Sequence, residues 1–99
     1  MNNASKWILI LKEYPLSDNK YKLIRRSSDS IKMGILTDHL MGVASKLKIP
    51  NIYIIRLKTL RSNVRSDKNY WILKLIDDTN LLLSAACARI KELTSATQK

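Results

Sequence analysis

The sequence predicts an α+β fold: a four-stranded, mainly antiparallel sheet with two helices packed on one face, in the order ββαββα. Two runs rich in isoleucine, leucine and aromatic residues, 49–60 and 69–76, flank a polar, basic link. Such an arrangement is typical of a hairpin with a long loop. Two shorter runs precede this hairpin, and a segment with apolar residues at three-to-four spacing follows each pair of runs.

The first pair of predicted strands lies at 6–14 and 20–26. Residues 7–11 are apolar on both alternating faces, which favours a central strand covered on both sides. The turn between the strands contains proline, aspartate and asparagine, and the second run is short and basic, as is typical of an edge strand. The 99 residues are expected to form one domain, 1–99, with frayed ends at 1–5 and 95–99.

The first predicted helix follows at Ser27–Asp29, where three residues are candidate N-caps. Pro50 ends it, because proline disfavours helical backbone at the preceding residue. Its apolar stripe consists of Ile31, Ile35, Leu36, His39, Leu40, Val43, Ala44 and Leu47. Gly34 and Gly42 within this helix predict a close packing partner on their face.

In the second hairpin, strand alternation would place Tyr53, Ile55 and Leu57 on one face, covered by helices. The acidic pair Asp77 and Asp78 would cap the last helix. The buried line of that helix would be Leu82, Ala86, Ile90 and Leu93.

The residue types argue against catalysis. His39 is the only histidine and lies on an apolar stripe, so a half-buried structural histidine is expected. Cys87 is the only cysteine, which excludes an internal disulfide and a multi-cysteine zinc site, and its apolar surroundings predict a buried thiol. With no glycine-rich phosphate loop either, the chain is predicted to be no enzyme and to use no cofactor or metal.

Charge is the strongest functional signal. The formal net charge is +10, and residues 46–74 contain eight cations and one anion. This balance favours a polyanionic partner, with DNA or RNA as the prediction. The candidate phosphate-contacting residues are Lys22, Arg25, Arg26, Arg56, Lys58, Arg61, Arg65, Lys68, Tyr70 and Lys74. A solvated basic surface, or a viral or plasmid accessory protein with an acidic protein partner, is the alternative interpretation.

Partners and location follow from the apolar residues. Four isoleucines would lie opposite the helix-covered face of the sheet, and such a patch predicts a homo-oligomer, most simply a dimer. They are Ile52, Ile54, Ile72 and Ile76. No apolar run approaches the roughly eighteen residues of a membrane span, and residues 1–13 do not have the pattern of a signal peptide. An intracellular protein, cytoplasmic or nuclear, is expected.

The run from Tyr70 to Leu93, YWILKLIDDTNLLLSAACARIKEL, resembles the closing strand and helix of roadblock-type domains. In that family an apolar strand, an acidic turn and an Asn-Leu pair lead into the last amphipathic helix. The resemblance implies a profilin-like fold and a dimeric, non-enzymatic adaptor that binds other proteins, often small GTPases. It assigns no functional residue to this chain.

Overall fold

The structure, a computed structural model, is helical. It describes residues 2–62 and 69–97, and no strand is present within them. The helices are α1 (Asn3–Glu13), α2 (Asp18–Arg26), α3 (Asp29–Lys46), α4 (Asn51–Ser62) and α5 (Asn69–Thr97). The predicted α+β fold with a four-stranded sheet is therefore wrong.

The first predicted strand is helix α1. The side chain of Asn2 caps it by accepting a hydrogen bond from the Ser5 backbone N–H at 2.8 Å. Ile10 is fully buried, and Trp7 and Tyr14 pack against the same core, whereas Ile8 is 67% exposed. Burial at residues 7, 10 and 14 has the period of a helix. A strand covered on both faces would have buried Ile8 as well.

The predicted edge strand is helix α2. Ser17 is its N-cap, and its hydroxyl accepts a hydrogen bond from the Lys20 backbone N–H at 3.3 Å. Asp18 lies in the first turn and two arginines in the last, so both helix ends carry the charge that the helix dipole favours. No residue of α2 is buried. The basic, exposed character of this run was recognised, but it belongs to a surface helix.

Helix α3 confirms the one helix predicted in the first half of the chain. Ser28 is its N-cap, and it ends before Pro50. Four residues of the predicted stripe are buried: Leu40, Val43, Ala44 and Leu47. Ile31, at the N-terminal end of the stripe, is 52% exposed. Gly42 is exposed and a Cβ there would meet nothing within 4 Å, so the close packing partner predicted at Gly42 is wrong.

Helix α4 replaces the first strand of the predicted central hairpin. Ile54 and Leu57 are buried and Tyr53 packs beside them, while Ile52 and Ile55 are exposed. The buried positions are three residues apart, so the predicted face of Tyr53, Ile55 and Leu57 does not exist. The β-branched isoleucines favoured a strand, but tertiary packing of one helical face decides the conformation here.

Helix α5 combines the second predicted strand and the last predicted helix into one element of 29 residues. Asp78 therefore lies inside a helix and is not a cap. Leu82, Ala86 and Ile90 are buried as predicted, whereas Leu93 is 41% exposed. Leu83 and Cys87 complete the buried face.

The core forms around α5, which contacts α1, α3 and α4. The large side chains that are fully buried in this core include Ile10 from α1, Leu40 from α3, Leu57 from α4 and Leu82 from α5. Helix α2 makes its main contacts with α3. It is therefore attached at the edge of the molecule, with most of its surface in solvent.

The end of α3 is closed by a Schellman motif. The Ile49 N–H donates to the Ala44 carbonyl at 3.0 Å, and the Lys48 N–H donates to the Ser45 carbonyl at 3.2 Å. Lys48 has a φ of 58°, in the left-handed region that glycine adopts without steric strain. Ile49 is buried directly after it. The motif thus sets the direction in which the chain leaves α3 and enters α4. Its cost is the strained, left-handed backbone conformation of Lys48.

We expect Lys48→Gly to raise the free energy of unfolding by about 1 kcal/mol, because it removes the left-handed strain of a residue with a Cβ. Urea denaturation followed by circular dichroism measures this. Lys48→Ala is the matched control, since it removes the same amine and keeps the Cβ. An equal gain from both variants would show that charge, not backbone strain, is relieved.

Candidate nucleic-acid interface

Three predicted cations share one face of α2. Lys22, Arg25 and Arg26 have the i, i+3, i+4 spacing that brings side chains together on a helix, and all three are exposed. They line one open depression on the surface. No carboxylate oxygen of the described residues lies within 4.0 Å of their charged nitrogens. We call Lys22, Arg25 and Arg26 the α2 cationic face.

Apolar and aromatic residues border this face. Tyr21 is 57% exposed and lies one turn before Arg25, and Leu23 is 51% exposed on the other side. Ile24, on the opposite side of the helix, is half-buried. The sequence pattern did not indicate Tyr21, because a strand would place it roughly 13 Å from Arg25, four residues further on. Only helical spacing places its ring beside Arg25.

Arg56, another predicted phosphate contact, forms an ion pair with a buried carboxylate of the same chain. Its Nε lies 3.0 Å from Oδ2 of Asp78, which is only 5% exposed. The contact is an ion pair without the geometry of a hydrogen bond, since Asp78 Oδ2 accepts none among the described residues. It connects α4 to α5. Arg56 therefore compensates a buried carboxylate, while half of its own side chain remains in solvent.

None of the remaining predicted residues whose side chains the structure describes is part of the α2 cationic face. Lys58 is exposed on α4, and Lys74 is half-buried on α5. Arg65 and Lys68 lie outside the described residues, and so do the side chains of Arg61 and Tyr70. The structure thus brings together three of the ten predicted residues and places one other, Arg56, in an ion pair with Asp78.

His39 has a structural contact. Its Nε2 lies 2.7 Å from the backbone carbonyl oxygen of Tyr14, so this nitrogen carries the hydrogen and donates. The bond ties α3 to the residue that ends α1. His39 is half-buried, which confirms the prediction of a satisfied histidine on the apolar stripe.

Cys87 is a buried free thiol, as predicted. Burial raises its pKa above the ordinary value of a thiol, and the positive charges of Lys6 and Lys91 oppose this effect only in part. The thiol is therefore protonated, and a poor nucleophile, at neutral pH. The neutral form stabilises the fold at neutral pH, and this contribution is lost as the pH rises through the raised pKa.

A second polar contact joins α1 to α5: Lys6 Nζ donates to Ser84 Oγ at 2.8 Å. Cys87 Sγ lies 3.5 Å from the Lys6 carbonyl oxygen, in the same contact between helices. Both side chains are half-buried. We interpret this pair as part of the packing of α1 on α5.

Two further kinds of feature were sought in residues 2–62 and 69–97: a metal-binding group and a membrane span. No three histidine, cysteine, aspartate or glutamate side chains in these ranges come together in a way that could hold a metal ion. No helix among them is both long enough and apolar enough to cross a membrane. The α2 cationic face is the feature that points to a ligand.

Comparison of the chain with models of protein families, with curated proteins and with solved structures finds no match. The resemblance to roadblock-type domains is therefore not tested by these comparisons. The strand that it assigned to residues 70–76 is part of α5.

Proposed function

We propose that the protein is a non-enzymatic nucleic-acid-binding protein in which the α2 cationic face contacts backbone phosphates. The observation that carries the proposal is the grouping of Lys22, Arg25 and Arg26 on a helix with no buried residue and without carboxylate partners among the described residues. Because these three cations are exposed and form no ion pair with a described residue, they are available to bind an anion from solution.

The electrostatics of α2 favour a phosphate chain. The C-terminal end of the helix carries about half a negative charge from its dipole, which the three positive charges exceed. Both arginines can hold a phosphate through two parallel hydrogen bonds, whereas the lysine acts as a point charge. Phosphate contacts position a nucleic acid without reading its sequence. The proposal therefore predicts binding with little sequence preference.

The test is a salt titration of the triple variant Lys22→Ala, Arg25→Ala, Arg26→Ala. Each phosphate contact contributes roughly −0.7 to −0.9 to the slope of log K against log salt, through release of counterions. We expect the variant to lower the magnitude of this slope by about two to three. Fluorescence anisotropy with a labelled oligonucleotide measures the slope. Stability should be retained, because α2 buries none of its side chains.

The matched control is the triple variant Arg61→Ala, Arg65→Ala, Lys68→Ala. It removes the same number of positive charges from another part of the chain. A similar loss in both variants would mean that net charge alone is sensed, and a loss only in the control would move the interface to residues 61–68. Salt-independent binding, or none at about 0.15 M salt, by the unmodified protein would refute the proposal.

One observation favours a second candidate, the predicted homodimer. Ile52 and Ile55 are 70% and 61% exposed on α4, three residues apart. A stable interface buries about 800 Å² on each partner, and two isoleucines supply only a small part of that area. Nucleic-acid binding is therefore the function that we place first. Light scattering of the same samples at high salt measures the oligomeric state.

A further inference from the structure

We infer that the α2 cationic face takes single-stranded nucleic acid, with the ring of Tyr21 stacked on a base while Lys22, Arg25 and Arg26 hold the phosphates. This inference rests on the proposed function and adds the class of nucleic acid to it. It follows from the position and exposure of one aromatic side chain that the charge pattern alone does not single out.

Tyr21 differs from the other tyrosines whose side chains the structure describes. Tyr14 is half-buried, with Lys46 Nζ 5.9 Å from its ring centroid, and Tyr53 packs against the core. Tyr21 is 57% exposed, and neither the core nor a cation covers its ring in the described residues. An exposed ring is therefore located next to a group of cations.

The combination fits an unpaired strand better than a duplex. Proteins that bind single strands combine a positively charged track for the backbone with aromatic rings on which bases stack. In a duplex the bases already stack on one another, so a surface tyrosine finds no exposed base face. Helical spacing places Tyr21 one turn before Arg25, at the border of the α2 cationic face. A base on Tyr21 and the phosphate next to it on Arg25 can thus be contacted together, and the strand can continue across Lys22 and Arg26.

The experiment compares Tyr21→Leu with the unmodified protein on a single-stranded oligonucleotide and on a duplex of equal length, both by anisotropy. Loss of one stacked base should weaken single-strand binding roughly 5- to 150-fold. Duplex binding should change by less than about twofold, and the salt slope should stay the same because no charge is removed. Tyr21→Phe keeps the ring and should retain single-strand affinity.

Leu23→Ala is the control on the other border of the face, and it should leave both affinities unchanged. The outcomes separate the two proposals. If the unmodified protein binds both oligonucleotides in a salt-dependent way and Tyr21→Leu binds them equally well, the stacking inference fails and phosphate binding stands. If the unmodified protein binds neither, the proposed function itself fails. Equal thermal midpoints of the variants exclude misfolding as the cause.

Discussion

Leu82→Asp is expected to abolish the cooperative fold. Leu82 is fully buried on the face of α5 that meets the other core helices. A carboxylate without a partner at this position costs several kcal/mol, against a total stability of about 5–15 kcal/mol for a domain of this size. Thermal unfolding followed by circular dichroism should show no cooperative transition. Leu40→Asp on α3 should have the same result, because Leu40 is also fully buried.

The adjacent residue supplies a matched control. Leu81 has the same side chain in the same helix but is 53% exposed. We expect Leu81→Asp to melt cooperatively, with a free energy of unfolding within about 1 kcal/mol of the unmodified protein. A cooperative melt of Leu82→Asp, or collapse of Leu81→Asp, would show that the faces of α5 are assigned incorrectly.

Arg56→Leu is expected to have the second largest effect, a loss of about 1–3 kcal/mol in the free energy of unfolding. It leaves the buried Asp78 carboxylate without its partner, which costs about 3–5 kcal/mol for a pair buried on both sides. The Arg56 side chain is 52% exposed, so water compensates part of this loss and the expected value is lower. Urea denaturation gives the free energy.

A double-mutant cycle isolates the pair from other effects of the substitution. In the Asp78→Asn background the carboxylate charge is absent, so Arg56→Leu should be less destabilising by about 1 kcal/mol or more. Arg56→Lys, which keeps the charge on a different group, should lose less than Arg56→Leu. The same loss from Arg56→Leu in both backgrounds would mean that the ion pair contributes no net stability.

The elements that the sequence predicted correctly are those with a long apolar stripe or with clear signals at the ends of the helix. Helix α3 has a serine cap, an extended apolar stripe and a proline after its end, and it lies where it was expected. The second half of α5 has a long apolar line, and three of its four predicted residues are buried.

Ambiguous local patterns led to the wrong strand predictions. Short runs such as residues 7–11 contain so many apolar residues that they fit the period of a strand and of a helix equally well. The isoleucines of 52–55 then favoured a strand by propensity. Which of them is buried depends on contacts with α5, which no local pattern contains.

Part of the candidate site could be read from the sequence. The net charge predicted a polyanionic partner. The candidate phosphate-contacting residues included the three that form the α2 cationic face. Their grouping depends on helical spacing, and so does the place of Tyr21. The ion pair of Arg56 with Asp78 could not be predicted, because Asp78 is far along the chain and its pattern is that of a helix cap.

The contact between α1 and α5 has a consequence for synthesis in the cell. Lys6 and Cys87 are in contact although 81 positions separate them along the chain. At roughly 5–20 residues per second the ribosome needs roughly 4–16 s to make that length. During this interval the apolar side of α1, with Trp7 and Ile10, has no α5 to cover it. The nascent chain therefore carries an aggregation-prone segment until its last helix emerges, and slower translation lengthens that exposure.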